Sequence, residues 1–141
     1  MRVVERDLWS FIKKAREIGR NLPAAIVIGV DPATALAAAT TLPLYSDELE
    51  VANSLLDGEL KVTGGLKINI EYPSNAEIVL EGEIQVNELE EEGPFTDITG
   101  TYDIIRKQPV FIVHAIRMKK NPIFQSILPA GIEHKTLMGL P

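Results

Sequence analysis

The order of apolar and polar positions divides the chain into a helical first part and a strand-rich second part. Leu8, Phe11, Ile12, Ala15 and Ile18 recur at three- and four-residue spacing, the single stripe of an amphipathic helix. Asp7 stands where it can cap that helix, and Gly19 where it can end it. Ala24 to Val30 is a continuous apolar run rich in Ile and Val, which predicts a strand buried on both faces. Asp31-Pro32 is an N-cap and first-turn pair opening a second helix over Ala33 to Ala39. A third helix is predicted from about Ser46, with Asp47 and Glu48 in its first turn and Gly58 as its stop.

From residue 60 the period falls to two. Leu66, Ile68, Ile70 and Tyr72 alternate with Lys67, Asn69 and Glu71, which predicts a strand with one buried face. Pro73-Ser74-Asn75 reads as a turn. Ile78, Leu80, Gly82, Ile84 and Val86 alternate with Glu77, Val79, Glu81, Glu83 and Gln85, a second long strand. Residues 87–108 read as irregular, Val110 to Met118 as a strand again, and Ile123 to Leu128 as one more. Helices first and strands later argue for an α+β fold around an antiparallel sheet or barrel.

Composition narrows the function classes. At 141 residues the chain has the usual size of one domain and can bury a core without staples. It has no cysteine, so it can build neither disulfides nor thiolate metal sites. A net charge of -6 repels phosphate backbones and argues against nucleic-acid binding. No apolar run approaches the roughly 18 residues of a membrane span, and the start of the chain lacks a signal-peptide core. The expected location is the cytoplasm.

The candidate chemistry is acidic. Glu90-Glu91-Glu92-Gly93-Pro94-Phe95-Thr96-Asp97-Ile98-Thr99-Gly100 reads as part of a long loop whose shape Gly93-Pro94 and Gly100 constrain. Across it, Glu92 and Asp97 can form a carboxylate pair in which one group holds a proton; the alternative is a solvated acidic loop. Glu48 is either a charge complementing a helix dipole or an oxygen ligand for a hard cation. His114 shares a strand face with Val110, Ile112, Ile116 and Met118, the place of a hydrogen-bonded core histidine, and His134 is expected to be exposed. No HExxH, serine elbow, P-loop or GxGxxG is present.

Several segments occur together, and in order, as they do in one family. They are Ala24 to Ala33 (AAIVIGVDPA), Asp47 to Ala52 (DELEVA), Ala76 to Glu83 (AEIVLEGE) and Glu92 to Gly100 (EGPFTDITG), extended by Asn121 to Gln125 (NPIFQ) and Leu128 to Gly131 (LPAG). In these the chain resembles UbiD-type decarboxylases, over nearly its whole length but about a third of a family member. The resemblance implies a flavin-reductase-like split β-barrel with flanking helices. It also implies reversible, non-oxidative decarboxylation of aromatic or α,β-unsaturated acids with prenylated FMN, a divalent metal (Mn or Mg) and a potassium ion.

By the same resemblance, Glu48 falls on the glutamate that helps hold the cofactor phosphate through its metal. Glu92 falls on the first acidic residue of the catalytic network, normally paired with an arginine, and Asp97 on the second, the proton donor or acceptor. A histidine metal ligand is expected around residues 5–7, where the chain reads Glu5-Arg6-Asp7. Asp7 is the nearest chemical substitute and is equally placed as a helix cap. The partner arginine, a metal-binding asparagine and the N- and C-terminal family domains lie outside this sequence, leaving residues 1–141 as one central domain. The expectation is a subunit completed by a separate polypeptide, or a homo-oligomer; the alternatives are a non-catalytic flavin-binding or protein-interaction module, or a truncated fragment.

Overall fold

The computed structural model describes residues 7–43 and 46–139. Its elements in chain order are α1 (Asp7–Glu17), β1 (Leu22–Ile28), α2 (Pro32–Ala39), α3 (Glu48–Leu55), β2 (Val62–Gly64), β3 (Glu71–Pro73), β4 (Ile78–Glu92), β5 (Arg106–Met118) and α4 (Ile132–Gly139). β1, β4 and β5 form an antiparallel sheet with β4 in the centre, and β2 and β3 form a separate two-stranded ribbon. The class is α+β. The described strands make an open sheet and not a closed barrel.

The helix ends follow the sequence. Gly19, at φ +65°, donates to the Arg16 carbonyl while Arg20 donates to that of Ala15, the paired bonds that close a helix on a left-handed residue. Asp31 caps α2 by accepting from the Thr34 amide at 2.8 Å and the Thr34 hydroxyl at 2.7 Å. Asp47 caps α3 through the Leu49 amide. None of the described helices is long and apolar enough to cross a membrane.

The sheet buries both faces over part of its length. On one face α1 places Ile12 and Ala15 against Ile84 and Val86, with Trp9, Leu22, Ala24 and Phe111 around them. On the other, Tyr72 and Ala76 pack on Val79, beside Ala25, Val27 and Val30. β1 is nevertheless an edge strand and only half-buried, not the doubly buried strand its composition suggested.

Three other expectations are corrected. Residues 66–72 do not form one strand: β2 and β3 are joined by a loop over residues 65–70, and Leu66 is 72% exposed. The cause is Glu81. Its carboxylate is fully buried and accepts from the Leu66 amide at 2.8 Å and the Lys67 amide at 2.7 Å, so these amides bond a side chain in place of a neighbouring strand. β4 runs on to Glu92, because its acidic end meets a basic strand start: Glu91 pairs with Lys107 and Glu92 with Arg106. The segment 123–128 is not a strand; Ile123, Phe124 and Leu128 are exposed.

Candidate active site

Where β4 and β5 part company, residues 93–105 form a hairpin loop. It is shorter than the irregular stretch expected from the sequence, since both of its ends belong to strands. Gly93 turns the chain at φ +103°, a conformation that favours glycine, and precedes a cis bond to Pro94. The loop then pairs with itself. Thr96 bridges Tyr102, the Asp97 amide donates to the Thr101 carbonyl at 2.7 Å, and the Asp103 amide donates to the Phe95 carbonyl at 2.8 Å. At its base Arg106 bonds the Asp103 carboxylate at 3.1 Å.

This folding brings Glu92 and Asp97 to the same cavity of about 180 Å³. Glu92 is half-buried at the end of β4, and Asp97 is exposed in the loop, where its Oδ1 accepts from the Ile98 amide. Phe95 and Ile104 give the cavity apolar wall. Two carboxylates lining one small space are an arrangement in which a proton can be held, donated and recovered.

Sequence reasoning missed three further lining groups. Asp103 and Arg106 reach the cavity because the strands pair beyond the point where their apolar alternation stops. His134 reaches it from α4 and is half-buried rather than exposed; its Nδ1 accepts from the Ala130 amide at 3.1 Å, which leaves the ring proton on Nε2. No local spacing signals that a residue forty positions downstream returns to this hairpin. His114 is the opposite case. It is not a core residue but an exposed one, the extra residue of a β5 bulge, with Nε2 3.9 Å from Glu83.

The two candidate cation ligands stand apart from the acid cavity. Glu48 is the first residue of α3, half-buried, and does not line it. Asp7 opens α1, and its Oδ1 is buried without a hydrogen-bond partner, so that oxygen makes no helix cap. Glu5 and Arg6 lie outside the described residues. Among the described residues no three His, Asp or Glu gather as a metal site.

Comparison with known proteins shows the family. The family model described as the 3-octaprenyl-4-hydroxybenzoate carboxy-lyase Rift-related domain of UbiD matches residues 1–132. The chain belongs to the UbiD family. It is 45% identical to the anhydromevalonate phosphate decarboxylase of Methanothermobacter thermautotrophicus, covering 100% of this chain and 33% of that protein. With the protein of that name from Methanocaldococcus jannaschii it shares 47% identity, over 99% of this chain and 32% of the relative. Among solved structures, an evolved dimeric form of the UbiD-class enzyme HmfF from Pelotomaculum thermopropionicum, in complex with prFMN, superposes with a TM-score of 0.95. The two are 39% identical over 99% of this chain and 33% of that one. The closed form of vanillic acid decarboxylase from Sedimentibacter hydroxybenzoicus gives a TM-score of 0.89 at 29% identity, covering 96% and 29%. The chain therefore spans about a third of the length of the UbiD proteins it matches.

Proposed function

We propose that residues 1–141 are the central, flavin-binding domain of a UbiD-type non-oxidative decarboxylase using prenylated FMN, with Glu92 and Asp97 as its acid pair. The observation that carries this reading is the convergence of those two carboxylates on one cavity at the β4–β5 hairpin. The likeness to HmfF in complex with prFMN supports the cofactor. In this reading, strands from chain outside these residues complete a split barrel around the open sheet, and the protein is cytoplasmic.

Prenylated FMN, when bound, supplies the chemistry of the bond between the substrate carbon and carbon dioxide. The work of this chain is proton handling. Loss of carbon dioxide leaves a carbon that must take up one proton, and the reverse reaction must remove it. Asp97 delivers and recovers that proton, and Glu92 is the second carboxylate on the same cavity.

Asp7 also has the chemistry for a hard cation. The buried Asp7 Oδ1 has no hydrogen-bond partner, and a carboxylate oxygen is the ligand that Mn or Mg takes. In this reading Asp7 and Glu48 would be its ligands from this chain, and the remaining oxygens, like those for potassium, would come from the flanking domains. Those domains reach the site as a separate subunit, as further chain, or in a homo-oligomer. The substrate is an aromatic or α,β-unsaturated acid, and anhydromevalonate phosphate is the first to test, because three relatives above 40% identity carry that name.

The test is co-expression with the flanking UbiD segments and a flavin prenyltransferase, followed by an absorbance spectrum and a decarboxylation assay. A flavin-loaded complex with turnover that E92Q and D97N abolish supports the reading. A flavin-free complex, or turnover unaffected by both substitutions, overturns it.

A further inference from the structure

A second cavity, of about 140 Å³, lies between the β2–β3 ribbon and β5 and has the opposite chemistry to the acid cavity. The ribbon and the turn after it supply Thr63, Tyr72 and Ser74, while β5 and the residue beyond it supply Arg117 and Lys119. Ala76 and Val79 give it apolar wall. No carboxylate is among its described lining residues, in a chain whose net charge is -6. Val79, in its wall, and Glu92, in the acid cavity, stand near opposite ends of β4, roughly 40 Å apart along the strand at about 3.3 Å per residue. The two cavities are separate places on the molecule.

The two cations keep donors in reserve. Arg117 Nη1 donates to the Tyr72 hydroxyl and to the Gly64 carbonyl, and Tyr72 donates in turn to Glu81. The Glu81 carboxylate is 3.8 Å from Arg117, beyond hydrogen-bond distance, and is already filled by Tyr72 and by the Leu66 and Lys67 amides. Arg117 Nε and Nη2 bond none of the described residues. Lys119 gives one ammonium proton to Glu77 at 2.8 Å and retains two. The Thr63 and Ser74 hydroxyls have no hydrogen-bond partner among the described residues.

A guanidinium, an ammonium and two hydroxyls around one small space form a donor set with no competing carboxylate. A guanidinium edge matches two oxygens of an oxyanion, an ammonium adds a point charge, and a hydroxyl turns to donate. We propose that the Thr63–Ser74–Arg117–Lys119 cavity is a binding site for a phosphate group, which ties the β2–β3 ribbon to β5. Donors come from the ribbon on one side and from β5 on the other, which suits a tetrahedral anion better than a planar carboxylate. The volume is well below the roughly 300 Å³ at which pockets begin to enclose a whole drug-sized ligand, so the cavity takes the phosphate and not a nucleotide around it. The proposal stands apart from the decarboxylase reading, since neither Glu48, Glu92 nor Asp97 lines this cavity.

The experiment titrates inorganic phosphate into the ¹⁵N-labelled chain at constant ionic strength, with chloride as the comparison anion. Saturable shifts are expected at Thr63, Tyr72, Ser74, Arg117 and Lys119, together with a melting temperature that rises with phosphate concentration, as it must for a ligand that binds the folded state. Lys119→Gln, at a side chain 48% exposed, should weaken binding at least tenfold and S74A about threefold. Lys13→Gln, which removes the same charge from an exposed residue of α1, should change it less than twofold. Melting curves of each variant without phosphate establish that it folds. Glycerol phosphate separates the two sources of the group: binding at least as tight as that of phosphate assigns the cavity to a phosphate ester, weaker binding assigns it to the free ion, and both support the site. Shifts no larger with phosphate than with chloride, shifts centred outside the cavity, or equal weakening by K119Q and K13Q would overturn the proposal.

Discussion

The Tyr72 hydroxyl donates to the Glu81 carboxylate at 2.6 Å, in a site where Glu81 has no exposed surface. Arg117 stands 3.8 Å from the same carboxylate, and the Leu66 and Lys67 amides complete its shell. Burial alone pushes the carboxyl pKa up, but the hydrogen bonds from Tyr72, Lys67 and Leu66, with the Arg117 charge, outweigh it and hold the pKa below the ordinary glutamate value.

Glu81 therefore stabilises the fold in its ionised form. A lowered folded pKa contributes stability that is present above the unfolded value of about 4.3 and is lost as pH falls through the folded one. Urea unfolding from pH 7 down to pH 3 checks this: E81Q is less stable than the parent at pH 7, and the gap narrows below about pH 4.3. Removing the carboxyl altogether, in E81A, costs about 3–5 kcal/mol by leaving Arg117 and two amides without their partner. A gap that widens on acidification contradicts the assignment.

Gly82 sits at the β5 bulge, where a side chain has no room. A Cβ there would collide with the Ile112 carbonyl oxygen, which is backbone and cannot swing away. G82A is expected to destabilise by at least about 1–3 kcal/mol, seen as a lowered melting temperature.

The α2 cap gives a smaller, local effect. Asp31 accepts from the Thr34 amide and hydroxyl and from Asn75, and these bonds outweigh desolvation to lower its pKa. D31A should cost about 1 kcal/mol in denaturant unfolding. Since its folded pKa is lowered, the difference from the parent shrinks as pH falls below about 3.9.

For the acid pair the effect should be on chemistry and not on stability. In the assembled, flavin-loaded enzyme, D97N and E92Q should each lower kcat by about 10²–10⁴-fold, the usual contribution of a positioned proton-transfer group. Asp97 is exposed, so D97N should leave the unfolding free energy within about 0.5 kcal/mol of the parent. An equal loss of stability and activity would mark Asp97 as structural.

What the sequence revealed was whatever local chemistry decides. Asp31, Gly19 and Gly58 mark helix ends because a cap or a left-handed residue acts on its own turn, while Asp47, expected inside the first turn of α3, is its cap. The alternation of Ile84 and Val86 marked a buried face for the same reason. The misreadings arose where a distant group decided the outcome. Leu66 to Tyr72 alternates like a strand, yet a carboxylate from β4 holds two of its amides. Glu90 to Glu92 reads as a solvated run, yet Arg106 and Lys107, more than a dozen residues on, make it strand. Of the cavity lining, Glu92 and Asp97 stood out only through the family resemblance, their run alone reading equally as a solvated acidic loop, whereas Arg106 and His134 enter only through tertiary pairing.

The most direct test labels this chain alone with ¹⁵N, assembles it with unlabelled flanking segments, and follows its amide resonances as prenylated FMN is added. The largest shifts are expected in residues 92–97 and at His134, around the cavity that Glu92 and Asp97 share. Shifts that leave the β4–β5 hairpin untouched while moving resonances elsewhere would contradict it.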